Sequence, residues 1–206
     1  ASSVAEYFSR RGPRNYEEII YNRLGSLYLK KERFNDAAQT FQMFADNNPF
    51  HQQAPSYHMR VIEAYQEADF PTLALDAKKS FVEHYQLQGE YWNHHSPGET
   101  KRTHDFLKIT ITDLSRHYHA LAQKSRKPED YQQAIHWYRT YLASFANDKD
   151  APSMNFLLAE LLDESGDYQQ AIREFSTIAY RYSGHDQAGE AGYAAVLAYS
   201  KHEQTL

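Results

Sequence analysis

The 206-residue chain has no cysteine, which excludes disulfide staples and thiolate chemistry and is compatible with an oxidising compartment without proving one. It also lacks any apolar run approaching the roughly 20 residues needed to cross a bilayer, and no signal-peptide pattern begins it. No membrane anchor is expected. A net charge of −5 and a pI near 6.1 leave it without the basic balance typical of nucleic-acid binders. Two short basic clusters, Lys30, Lys31 and Arg33, and Lys124, Arg126 and Lys127, are read as complements to helix dipoles. Nucleophile elbow and phosphate-cradling glycine loop are both missing, so the motifs give no support to catalysis.

What the chain has is aromatics, 17 Tyr and 11 Phe, and an internal repeat. The hexapeptide Asp130-Tyr131-Gln132-Gln133-Ala134-Ile135 returns unchanged, 37 residues on, as Asp167-Tyr168-Gln169-Gln170-Ala171-Ile172. A period of that size means stacked supersecondary units. Tyr131, Ala134 and Tyr138 align with Tyr168, Ala171 and Phe175, and earlier with Phe34, Ala37 and Phe41. An aromatic, a small residue three later and an aromatic four after that share one helical stripe, where alanine admits a neighbouring helix closely. A second apolar stripe precedes each copy: Tyr21, Leu24, Gly25 and Tyr28; Tyr118, Leu121 and Ala122; Leu158, Ala159 and Leu162. Each unit is therefore a pair of helices, A then B.

Tyr21, Leu24, Gly25, Tyr28, Phe34, Ala37, Phe41 and Pro49 stand at the offsets of the tetratricopeptide repeat, and over residues 18–203 the chain resembles that family. Later copies depart from the pattern: Ser125 stands at a helix A tyrosine, and Ala146 and Ser183 at the terminal proline. The resemblance implies an all-α, right-handed superhelical solenoid of antiparallel helix pairs. The partition it suggests is a tail of a preceding unit at 1–17, unit 1 at 18–51, unit 2 at 55–85, an insertion with helix extension at 86–114, unit 3 at 115–148, unit 4 at 152–185, and a lone helix A at 186–206. Helix A of unit 1 is expected over 16–30 and its helix B over 35–46.

The insertion is read from Tyr65 and Ser125, which lie 60 residues apart, 23 more than one pitch. Within it, Ser96-Pro97-Gly98-Glu99 reads as N-cap, first-turn proline and capping-box glutamate. A long helix is expected from there to about Gln123, with Leu107, Ile111, Leu114, Tyr118 and Leu121 on one face. Phe106, Leu107 and Ile111 then pack on Tyr85, Tyr91 or Trp92, or else await a binding partner.

Eleven histidines raise a metal centre. The groupings His94-His95 with His104, and His117 with His119, lack ligand spacing, so metal and cofactor are both expected absent. Carboxylate pairs such as Glu63 and Glu67, or Glu160 with Asp163 and Glu164, read as solvated helix faces. The family resemblance implies a concave binding groove lined by helix A: Asn22 and Ser26, Met59 and Glu63, Arg116, His119 and Gln123, Phe156 and Glu160, Tyr193 and Leu197. Met59, Phe156 and Tyr193 would be aromatic or apolar anchors for a partner, or else pack between helices. Tyr91 and Trp92 form a second candidate surface, with folding back onto the solenoid favoured.

These features point to a non-enzymatic scaffold binding a protein or peptide segment, with self-association through the repeat ends as a further possibility. The segments Phe50 to Pro55 and His185 to Ala188 resemble those of bacterial envelope repeat proteins, which implies a periplasmic or outer-membrane-associated setting; a cytoplasmic one is the alternative. The competing function is a helical accessory region of a larger enzyme or of a cell-surface polymer export machine.

Overall fold

The computed structural model describes residues 2–12, 14–96, 98, 100–182 and 184–205. Among them there is helix and loop and no strand. The elements are α1 (Ser2–Arg11), α2 (Glu17–Lys30), α3 (Phe34–Asn47), α4 (Ala54–Glu67), α5 (Pro71–Tyr85), a 3-10 turn (Glu90–Asn93), α6 (Lys101–Ser125), α7 (Pro128–Ser144), α8 (Ala151–Glu164), α9 (Tyr168–Arg181) and α10 (Ala188–Glu203). The chain forms two compact units, residues 1–107 and 108–206, with α6 running through the boundary. Within each, helices pack on their sequence neighbours, α2 on α3, α3 on α4 and α4 on α5 in the first, α7 on α8, α8 on α9 and α9 on α10 in the second. That is the nearest-neighbour logic of a helical repeat array.

Alanines at the repeat positions let these helices approach: Ala37, Ala134 and Ala171 are all fully buried. In the first unit Gly25 goes further, because the ring of Phe41 fills the place where its side chain would be. Tyr21, Phe41, Phe44 and Tyr57 form one aromatic core, with Phe44 and Tyr57 centroids 4.3 Å apart.

Both kinds of connection repeat in detail. From helix A to helix B the chain reverses through a left-handed residue, Glu32 (φ 55°), Asp69 (φ 54°) and Gly166 (φ 85°). The next amide closes a six-residue ring onto the helix: Arg33 N to Tyr28 O, Phe70 N to Tyr65 O and Asp167 N to Leu162 O, each 2.9 Å. This is the Schellman termination. Returning from B to A, a side chain accepts the amide two residues on: His51 Nδ1 from Gln53 N, Asp148 Oδ1 from Asp150 N, and His185 Nδ1 from Gln187 N. Two of the histidines that raised a metal centre are thus turn fasteners.

The long helix of the insertion is present as α6, 25 residues where α2, α4 and α8 have 14. It begins at Lys101 rather than in the turn after Ser96. The Thr100 hydroxyl donates to the Ser96 carbonyl at 3.0 Å just before the helix. Pro97 and Glu99, which carried the start signal, lie outside the described residues, as do Pro13 and Ser183. Phe106 meets Phe81 of α5, with ring centroids 5.0 Å apart. Leu107 and Ile111 are fully buried.

Candidate functional site

Helix A of the first pair, α2, and helix A of the second, α4, are tied by the side chains of Arg60 and Tyr57. Arg60 donates from Nη1 to Asn22 Oδ1 at 2.7 Å and from Nη2 to Ser26 Oγ at 2.9 Å, and its guanidinium lies 3.8 Å from the Phe41 ring centroid. Burial lowers its pKa. Packing over a buried ring and bonding to neutral acceptors, the cation is held in a fixed direction. Glu63, one turn on, is exposed. Nearby, the Tyr57 hydroxyl reaches back to α2 and lies 2.9 Å from the Glu18 carbonyl oxygen and 3.0 Å from its carboxylate, and burial pushes its pKa up.

The second compact unit presents a similar strip. On α6, Arg116 and Gln123 are exposed and His119 is half-buried, with its Nδ1 2.8 Å from the Tyr138 hydroxyl on α7. Burial lowers the His119 pKa, against the pull of Glu164, and pushes Tyr138 up to about 12. Gln123 Nε2 donates to Glu164 Oε1 of α8 at 3.1 Å. Glu160 is half-buried, and that burial, with Glu164 and Glu190 nearby, raises its pKa. Gln123, Arg126, Tyr131, Gln132, Glu164 and Asp167 line an open polar cleft of about 690 Å³.

Two proposed anchors are not on these faces. Met59 is 1 % exposed and Phe156 5 %, the latter edge-on to Phe175 at 5.6 Å. The cause is a rotation of one residue along the helix. Met59 and Ile62 turn into the core of α4 while Arg60 and Glu63 turn out, and in α8 the buried residue is Phe156 while Glu160 keeps partial access. Tyr193 and Leu197 are exposed on α10. Tyr91 forms no surface either. It is 2 % exposed, edge-on to Tyr85 at 5.0 Å and stacked on His95 at 4.5 Å, and Trp92 Nε1 donates to the Tyr85 carbonyl at 2.9 Å. Both rings lie against Tyr85 of α5.

The residue most clearly missed is Arg60, one position past the family offset at Met59. Its signal lay in the sequence as the first charge on the outer flank of α4. His58 was missed too: it is buried, with Nδ1 2.7 Å from the Tyr85 hydroxyl and Nε2 3.1 Å from Asp46 Oδ1, joining α3, α4 and α5. Among the described residues no group of three or more His, Asp or Glu is arranged to hold a metal ion. Nor is any described helix long and apolar enough to cross a membrane.

No family model matches the chain, and no curated protein matches it. Among solved structures it is similar to one described as the crystal structure of MamA protein, at 16 % identity, with 93 % of this chain and 94 % of that one covered and a TM-score of 0.39.

Proposed function

We propose that the chain is a non-enzymatic scaffold of the tetratricopeptide type that binds a protein or peptide segment along the exposed flanks of its A helices. The observation that carries this is the polar strip itself. Asn22, Ser26, Arg60 and Glu63 lie on the A helices of one unit, and Arg116, His119, Gln123 and Glu160 on those of the other. Asn22, Ser26, Arg60, His119 and Gln123 are held in place by hydrogen bonds to neighbours, and Glu63, Arg116 and Gln123 are open to solvent. Such rows suit an extended partner with polar and charged side chains, the usual task of stacked-helix arrays. Direction and spacing come from the strip, and apolar contact comes from Tyr193 and Leu197.

The resemblance of the Phe50 to Pro55 and His185 to Ala188 segments to envelope repeat proteins supports a place in a bacterial envelope assembly, periplasmic or outer-membrane-associated, which fractionation of native cells checks. For the strip, the test is crosslinked capture from native cells with the unaltered protein and with Glu63→Lys and Gln123→Lys. Both changes lie on exposed positions, so the melting temperature should hold while the captured partner is lost. Retained capture by both variants removes the strip as the binding surface.

A further inference from the structure

Charged residues make up 24 % of the chain, yet no Asp, Glu, Lys or Arg stands in residues 47–59 or 91–96. The fold brings these two stretches together. His95 of the insertion donates from Nε2 to the Phe50 carbonyl at 2.8 Å, and the His94 ring lies against the Phe50 ring with centroids 4.3 Å apart. Tyr91, buried, stacks on His95 and so anchors the loop from beneath. The other turns from helix B to helix A differ in charge: 145–150 carries Asp148, Lys149 and Asp150, and 182–187 carries Asp186. The insertion thus lies on the one uncharged turn of the three.

Phe50 keeps 41 % of its surface exposed although His94 lies against it. Gln52, Gln53, Asn93 and His94 are exposed beside it, and no bond to a described residue occupies the side-chain amides of Gln52, Gln53 and Asn93. The nearest carboxylates are already engaged, Glu17 with the Asn48 amide at 3.4 Å and Asp46 with His58 at 3.1 Å. An open aromatic ring among free amides suits a ligand that is apolar on one face, rimmed by groups that both donate and accept, and itself uncharged. A neutral pyranose meets all three conditions. Its axial C–H bonds form an apolar face that an aromatic ring can cover, and its hydroxyls pair with amides in either direction. A charged peptide segment or an anionic lipid surface would give up hydration here and gain no opposite charge.

We propose that Phe50, ringed by Gln52, Gln53, Asn93 and His94, is a binding site for a neutral oligosaccharide. It shares no residue with the polar strip and does not depend on it.

The test is an NMR amide-shift titration of the full chain with cellohexaose, with N-acetylchitohexaose and with a galacturonate hexamer as the acidic counterpart. At least one neutral sugar should move the amides of residues 50–53 and 93–95 with a Kd on the order of 1 mM. Phe50→Ala should weaken that binding about tenfold, Phe50→Trp should keep it, and Gln52→Ala should weaken it by a smaller factor. Should Phe50→Ala lose helicity, Phe50→Leu, apolar but without a flat face, carries the same readout. The proposal is overturned if neither neutral sugar moves these amides, if Phe50→Ala binds as well as the unaltered chain, or if the galacturonate hexamer binds as tightly. Glu63→Lys should leave the titration unchanged and Phe50→Ala should leave crosslinked capture unchanged, so either reading can fail alone. Capture lost in Phe50→Ala, with no response to sugar, would assign the patch to a protein partner and overturn the proposal.

Discussion

A Cβ built on Gly25 would lie 2.1 Å from Cε1 of Phe41, well inside the contact distance of two carbons. The glycine is there so that helix A and helix B of the first pair can close on that ring, and its helical conformation needs no special φ. Two effects therefore oppose each other in Gly25→Ala. Helix propensity favours alanine by about 1 kcal/mol in a helix interior. The overlap forces Phe41, fully buried among Tyr21, Tyr57 and Ala37, off its position, which costs about 1–3 kcal/mol and more if the helices separate. The overlap should win. Chemical denaturation should show a lower midpoint for the variant, and a higher one would mean that α2 and α3 are spaced more widely than found.

The A-to-B turns offer a gain instead of a loss. Glu32, Asp69 and Gly166 occupy the same left-handed position, yet only the last is glycine. A side chain in that conformation costs about 1–2 kcal/mol, with aspartate among the more tolerant. Asp69→Gly should therefore raise the melting temperature, and Gly166→Ala should lower it by a similar increment. A fall in both would show that Asp69 makes a contact that outweighs its backbone cost.

Phe156 and Tyr193 stand at one repeat offset and should respond in opposite ways. Truncating buried Phe156 to alanine opens a cavity against Phe175 and should cost about 3–5 kcal/mol. Tyr193→Ala removes a ring that is mostly in water, so thermal unfolding should hardly move. Equal melting shifts at the two positions would show that the Tyr193 ring is packed as Phe156 is, and not in water.

That pair also shows how far sequence periodicity reaches. The aromatic–alanine–aromatic stripe placed Ala37, Ala134 and Ala171 in close contacts because packing repeats wherever backbone geometry repeats. The binding face was less legible. A helix turns 100° per residue, so an offset wrong by one position exchanges Met59 for Arg60 and moves an anchor from the surface to the core. Nothing local in Phe50-His51-Gln52-Gln53 announces that the His51 ring accepts the Gln53 amide; that became visible only beside Asp148 and His185 in the same turn. Long-range partners were the least legible. His58 meets Tyr85, 27 residues away, through helices whose rotation the sequence pattern leaves open.

The turn at Asp148, held by several bonds, gives a prediction with a sign in pH. Its Oδ1 accepts from Lys108 Nζ at 2.6 Å, from the Tyr141 hydroxyl at 3.1 Å and from the Asp150 amide at 2.9 Å, and Lys108 also donates to Asp150 Oδ2 at 3.0 Å. Burial alone would raise the Asp148 pKa, but the bonds from Lys108, Asp150 and Tyr141 outweigh it and hold the group below the ordinary carboxylate value. For Lys108 burial pulls down, and the two carboxylates outweigh it and raise the pKa. Burial pushes Tyr141 up to about 12, so its hydroxyl remains a donor at neutral pH. A carboxylate with a depressed folded pKa contributes stability that is present above its unfolded value and lost as pH falls through the folded one. A lysine with a raised pKa contributes stability that is complete below its unfolded value and lost as pH rises through the folded one. Asp148→Asn keeps the shape and removes the charge, and at neutral pH it should cost about 1.5–3 kcal/mol. Measured by denaturant unfolding across pH, the gap between the two proteins should be widest between the ordinary carboxylate and lysine ranges. It should narrow below about pH 4, where the carboxylate of the unfolded chain takes up a proton, and close as pH falls through the lower native value. A gap of constant size down to strong acid would show that Asp148 acts in this turn through its shape and not through its charge.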